Sequence, residues 1–250
     1  MFDPVIIAVI IATFLLAGAI KGVIGLGLPT VSLGLLTAAL DLPTAMALLI
    51  VPSLMTNLWQ AAVGGNGRTI LRRIWPFLLM ATATVWVGAT ALTRIDISLL
   101  SGLLGVLLVI YAGLNLIGVR LSISAQREVW LGPMFGIANG IFTGMTGSFV
   151  VPGVMFLQAI GLSRDMLVQA MGMLFTVSTL ALALALHGNN ILTVQLNIVS
   201  VAALLPAILG MIVGRRIRQR LSDAVFRRSF FIAILTLGSY IIASASYSIR

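Results

Sequence analysis

"KGVIGLGLPTVSLGLL", residues 21–36, decides how this chain is read. It is apolar enough for a membrane helix, yet it opens on Lys21 and carries Gly22, Gly25, Gly27 and Pro29 before Thr30 and Ser32. A helix in lipid must satisfy its own backbone, and glycine and proline interrupt that ladder. The stretch therefore predicts a membrane helix with a break in it, and the rest of the chain has to say what the break is for.

Of the 250 residues, 60% are hydrophobic and only 8% are charged. Soluble domains carry about 25% charged residues. Apolar stretches recur along the whole length, and a hydrocarbon core of about 30 Å needs about 20 apolar residues per helix. The expected fold is an all-α, polytopic membrane bundle, read as a single transmembrane domain over residues 1–250. The first basic residue is Lys21, so the positive region of a cleaved signal is missing, and 5–20 is expected to be a retained helix.

The net charge of +9 does not imply a nucleic-acid partner, because the basic residues sit in short connections between apolar spans. No cysteine is present, which removes disulfides and thiolate chemistry, and the lone His187 is read as a loop residue that builds no metal site. No metal and no cofactor is expected.

Hydropathy and Gly/Pro punctuation place segments near 5–20, 22–40, 43–63, 74–93, 97–118, 130–143, 146–161, 165–186, 193–214 and 229–248. The second, sixth and seventh are short or interrupted, so each either spans or re-enters. Arg68, Arg72 and Arg73 fill one connection. Arg120 and Arg127 against Glu128 fill another, and Arg215, Arg216, Arg218, Arg220, Arg227 and Arg228 crowd a third around Asp223. The intervening connections, Arg94 with Asp96 and "HGNN" at 187–190, are nearly neutral. The alternation puts the basic connections in the cytoplasm and both termini outside. Trp59, Trp75, Trp86 and Trp130 suit the interfacial belt.

The break has a counterpart. Gly22 and Gly25 recur in the same register as Gly144 and Gly147, and Pro29 has a partner in Pro152. Each break leads to a tight corner, "LDLPTAM" or "LSRDMLV", where Pro43 suits a first helical turn and Ser163 suits a cap ahead of Asp165. About five segments per half is an odd number, so the halves, about 1–120 and 128–250, are expected to be inverted repeats. Secondary carriers are built this way, with their sites at Gly/Pro-broken segments in matching positions.

A broken helix offers free N–H groups, and its N-terminus carries partial positive charge, which suits an anion. Gly22, Gly25, Gly27, Gly144 and Gly147 allow close approach to the backbone. Thr30, Thr143, Thr146 and Ser148 add hydroxyls, and Asn57, Gln60 and Asn139 add amides. All six acids fall in connections or at helix ends, whereas Lys21 is cationic. Donors with a cation and no intramembrane acid describe a site for a small anion. The alternatives stay open at this point: the glycines also suit close helix packing, Lys21 also suits snorkelling from a span end, and Asn57 and Gln60 also suit a headgroup-facing helix end.

At these residues, with "LDLPTAMALLIVPSLMTN" and "GIFTGMTGSFVVPGVMFLQAIGLSRDML", the chain resembles the TauE/SafE sulfite exporter family over nearly its whole length. The resemblance implies a bacterial inner-membrane carrier of sulfite, organosulfonates or related anions, working mostly in export. By motif position it carries over Lys21, Gly22, Gly25, Gly27, Pro29 and Thr30 in one half, and Thr143, Gly144, Thr146, Gly147, Ser148 and Pro152 in the other. One departure stands out: Phe142–Thr143 occupies the place of Lys21, so the second break has no matching cation. The expected function is export of a small sulfur-containing anion by alternating access, the anion lying between the two broken helices. Uptake of another small anion or carboxylate is the alternative, and a substrate-free scaffold is a more distant one. An enzyme is not expected. The partners are the anion and the bilayer. The sequence does not fix the anion, the direction, the coupling ion or the oligomeric state, a homodimer included.

Overall fold

The computed structural model describes residues 3–119, 121–218 and 223–248. Arg120 and Arg220 lie outside them. Among the described residues every regular element is helical: α1 (Pro4–Ile24), α2 (Leu28–Ala39), α3 (Leu42–Ala62), α4 (Gly67–Ala83), α5 (Val85–Ala89), α6 (Ile97–Ile117), α7 (Ala125–Thr146), α8 (Met155–Ala159), α9 (Arg164–Gly188), α10 (Val194–Arg218) and α11 (Asp223–Ser248). A 3₁₀ turn, Thr90–Thr93, extends α5, and a wide turn, Val150–Val154, precedes α8. Seven helical stretches are long and apolar enough to cross a membrane, with α4, α5 and the 3₁₀ turn counted as one. The chain is a polytopic helical membrane protein.

Several expectations about the segments need correction. The first helix does not stop at residue 20: it runs through Lys21 to Ile24, so Lys21 closes α1 rather than opening α2. The sixth segment is not short, because α7 has 22 residues, about 33 Å at 1.5 Å each. The second segment is truly short: the 12 residues of α2 reach about 18 Å, well under a hydrocarbon core. The seventh is a wide turn and a five-residue helix rather than one helix. His187 is not in a loop but in the last turn of α9. The basic connections are helix ends: Arg68, Arg72 and Arg73 belong to α4, Arg215, Arg216 and Arg218 to the last turn of α10, and Arg227 and Arg228 to α11.

The corners are capped differently. Asp41 caps α3, accepting from Thr44 N and from Thr44 Oγ1, each at 2.8 Å. Pro43 stands in the first turn, where its missing N–H costs nothing. Ser163 occupies the equivalent N-cap place before α9, but its side chain makes no cap bond.

The helices fall into two compact units, neither of which is a sequence half. One unit holds α1, α2, α3 as far as Pro52, α6, α10 and α11. In it α1 packs on α10, α6 packs on α11, and α2 touches α1, α11 and α6. The α1–α10 seam is backbone against backbone. A Cβ on Gly18 would strike the Ala207 carbonyl, one on Gly22 the Met211 carbonyl, and one on Gly214 the Ala19 carbonyl. With no hydrophobic drive between helices in lipid, such close approach supplies the packing energy. Tyr111 of α6 meets Phe231 of α11 edge-on at 5.4 Å.

The other unit holds α3 from Ser53, α4, α5, α7, α8 and α9. There α7 packs on α4 and α5 by the same device. A Cβ on Gly140 would strike Ala81 O and Thr84 Oγ1, one on Gly144 the Val85 carbonyl, and one on Gly88 the Ile141 carbonyl. Phe156 of α8 stacks on Phe77 of α4 at 4.7 Å. The four tryptophans are 43–75% exposed on the helix surfaces, as residues facing lipid or headgroups should be.

Candidate functional site

The first break lies in the first unit. Its α1 ends in a left-handed glycine, Gly25 at φ 78°, whose N–H donates to the Lys21 carbonyl at 2.8 Å. Gly27, at φ 108°, starts α2. Two left-handed residues within three positions are what only glycine supplies cheaply, and they turn the chain out of one helix into the next. Val31 N makes the first bond inside α2, to Gly27 O at 2.8 Å. Pro29 has no N–H, so Leu28 and Thr30 present the free N–H groups of this helix start. Lys21, Thr30 and Ser32 are all buried. Ser32 Oγ donates back to Leu28 O at 2.7 Å.

The second break lies in the other unit and repeats the first ending. Its α7 closes on Gly147 at φ 71°, whose N–H donates to the Thr143 carbonyl at 2.7 Å. Gly18, Gly22 and Gly25 of α1 thus match Gly140, Gly144 and Gly147 of α7 in register, in packing role and in the final left-handed turn. After the glycine the two breaks diverge. Pro152 does not begin a helix as Pro29 does; it sits inside the wide turn before α8.

Side chains rather than a helix start hold the second turn. Thr143 Oγ1 donates to Ser148 O at 3.0 Å, and Ser148 N donates to Thr146 Oγ1 at 3.2 Å. Gly153 N donates to Asn139 Oδ1 at 2.9 Å. Asn139, Thr143, Thr146 and Ser148 are all buried. Asn139 Nδ2 and Ser148 Oγ have no hydrogen-bond partner among the described residues. Two buried donors without acceptors are costly unless something fills the role. The second break is therefore the stronger ligand candidate of the two.

The remaining candidate residues divide. Gly22 and Gly144 follow the packing reading: their missing side chains let α10 and α5 approach. Asn57 does not face headgroups; it is fully buried, with Nδ2 donating to Ser53 Oγ at 3.0 Å. Gln60 belongs to a reciprocal amide clamp between α3 and α9. Its Nε2 donates to Val168 O at 2.7 Å, while Gln169 Nε2 donates to Ala61 O at 2.9 Å. Glu128 does not balance Arg127; it pairs with Arg73 at 2.8 Å. Arg73 Nη2 also donates to the carbonyl of Ile160, just past α8, at 2.6 Å.

One residue was missed. Leu174 of α9 lies against the second break, 2.9 Å from a Cβ built on Gly153, and Phe175 lies 5.6 Å from Phe149. One turn further along α9, Ser178 is fully buried, with an Oγ that has no partner among the described residues. The signal was a Ser-Thr pair in the middle of an apolar 25-residue helix.

Long apolar helices, two helix-ending left-handed glycines in matching register and buried polar side chains beside them mark a polytopic membrane protein. The chain belongs to the sulfite exporter TauE/SafE family, whose model matches residues 10–241. That family is one of membrane transporters for sulfite and related sulfur anions. Neither a curated protein nor a solved structure matched the chain.

Proposed function

We propose that this protein is a secondary carrier that exports a small sulfur-containing anion, sulfite or an organosulfonate, across an inner membrane by alternating access. The observation that carries the reading is the second break: Asn139 Nδ2 and Ser148 Oγ are buried donors without acceptors among the described residues, beside a glycine-ended helix. Buried donors suit an oxyanion. In the other unit, Thr30 and the N–H groups at the start of α2 are the corresponding donors of the first break. Lys21 is buried beside the first break, in the last turn of α1.

The halves 1–120 and 128–250 act as inverted repeats in this reading. The matched glycine register supports it, as does the exchange of partners: α1 packs on α10 while α7 packs on α4 and α5. The arginine-rich helix ends then lie in the cytoplasm and both termini in the periplasm. Outward movement of an anion runs with an inside-negative potential, about 2.3 kcal/mol per charge per 100 mV.

The same groups can donate to a carboxylate, so an uptake carrier for another small anion is the competing reading. Thermal unfolding of the detergent-purified protein against sulfite, sulfate, taurine, sulfoacetate, acetate, phosphate and Na⁺ or Ni²⁺ salts separates the two by what they bind. A ligand of the folded state stabilises by about 2.7 kcal/mol at a hundredfold excess over Kd. Stabilisation by sulfite or a sulfonate, with none by acetate, supports the proposal. Stabilisation by acetate alone favours the competitor, and stabilisation by cations alone defeats both.

A further inference from the structure

A groove of about 450 Å³ lies between the N-terminal parts of α4 and α7, and neither Asn139 nor Ser148 lines it. Its volume is that of a small-molecule site, roughly 300–1,000 Å³. The sequence makes the groove in three ways. Gly132 leaves out a side chain where a Cβ would touch Phe156 at 3.4 Å. Pro76 and Pro133, one on each wall, add their apolar rings to the lining. The floor is the buried stack of Phe77 on Phe156.

The groove is amphipathic along its length. Trp75 and Val129 line it and stay 55% and 67% exposed, apolar surface of the kind a membrane covers without cost. At one end stand Arg72 and Arg73. Arg73 is committed to the Glu128 carboxylate and the Ile160 carbonyl. That neutralises Glu128 and leaves Arg72, exposed on the rim, as the cation facing outward, with Arg68 one turn before it on the same helix. A soluble anion has no use for the apolar walls, and an apolar chain has no use for Arg72. An amphiphile with a negative head uses both, and basic pockets between membrane helices bind lipid headgroups for this reason.

We propose that this groove holds one anionic phospholipid, its phosphate on the Arg72 guanidinium and an acyl chain along Trp75, Val129 and Pro133. The site is separate from the anion donors of the glycine breaks and does not depend on the transported substrate. It would tie the lipid to α8, because Phe156 forms the groove floor and Arg73 holds the carbonyl that follows α8.

Native mass spectrometry of the purified protein with equal phosphatidylglycerol and phosphatidylcholine tests it. The wild type retains one phosphatidylglycerol with a preference of about fivefold, the factor one basic residue is worth beside an anionic lipid. Arg72→Gln removes the preference, and Arg216→Gln, an exposed arginine of α10, keeps it. Both are surface changes, so the fold survives in each. A wild type without preference, a preference that survives Arg72→Gln, or one lost equally in Arg216→Gln overturns the proposal. So does retention of free glycerol phosphate as strong as that of the lipid, which would make the site one for a soluble phosphate.

Discussion

Ser200 Oγ donates a hydrogen bond to the Leu48 carbonyl at 2.8 Å, and Leu48 is the residue four places before Pro52. Proline has no N–H, so that carbonyl has lost the donor a regular helix would give it. The hydroxyl from α10 replaces the donor and accepts in turn from Val51 N at 3.1 Å. In lipid a freed carbonyl has no water to turn to, and a serine from a neighbouring helix is one of the few remedies. Ser200→Ala should therefore lower stability by about 0.5–2 kcal/mol, read as a drop in the thermal midpoint. Ser200→Thr should retain most of it.

The glycine seams predict an ordered series. Gly144→Ala should destabilise, by about 1–3 kcal/mol, because its Cβ has no room beside the Val85 carbonyl. Gly22→Ala should behave alike against Met211 O. Gly113, in α6, has nothing within 4 Å of an added Cβ, so Gly113→Ala should be neutral or stabilising by up to about 1 kcal/mol. Thermal unfolding of the three variants side by side checks the order.

The ion pair of Arg73 and Glu128 should be worth little by itself. The side chains are 38% and 10% exposed, so a double-mutant cycle with Arg73→Ala and Glu128→Ala should give a coupling of about 1 kcal/mol, the scale of a solvent-screened pair. Arg73→Ala alone should cost more than the coupling, since it also abandons the Ile160 carbonyl.

The helix-ending glycines should matter for conformation as well as space. Gly25 and Gly147 sit at φ 78° and 71°, where an alanine costs about 1–2 kcal/mol. Gly25→Ala and Gly147→Ala should reduce transport more than their thermal midpoints suggest, because each re-aims the chain at a break. Transport rates set against unfolding midpoints test this.

Much of this was legible in residue chemistry. Gly25 and Gly147 announced themselves because only glycine is cheap at positive φ, and Pro43 because its missing N–H belongs in a first turn. Lys21 misled, since a lysine reads as the edge of a span; α1 carries it one turn further, to the stop that Gly25 enforces. Pro152 looked like Pro29, yet a proline alone does not say whether a helix or a turn follows. What no local pattern could reveal were long-range partners. Glu128 stands beside Arg127 in sequence but pairs with Arg73, 55 residues away. Gln60 looked like a ligand donor but is held by Val168 O.

The central claim is that the buried donors of the second break bind the transported anion. Ser148 Oγ makes it testable, because the hydroxyl has no partner to lose among the described residues. Efflux of radiolabelled sulfite from proteoliposomes should be carried by the wild type, and Ser148→Ala should weaken sulfite binding by about tenfold or more, the worth of one hydrogen bond to a charged ligand, with an unchanged thermal midpoint. Efflux and affinity equal to wild type in Ser148→Ala, or a wild type that moves no sulfur anion at all, would contradict the account.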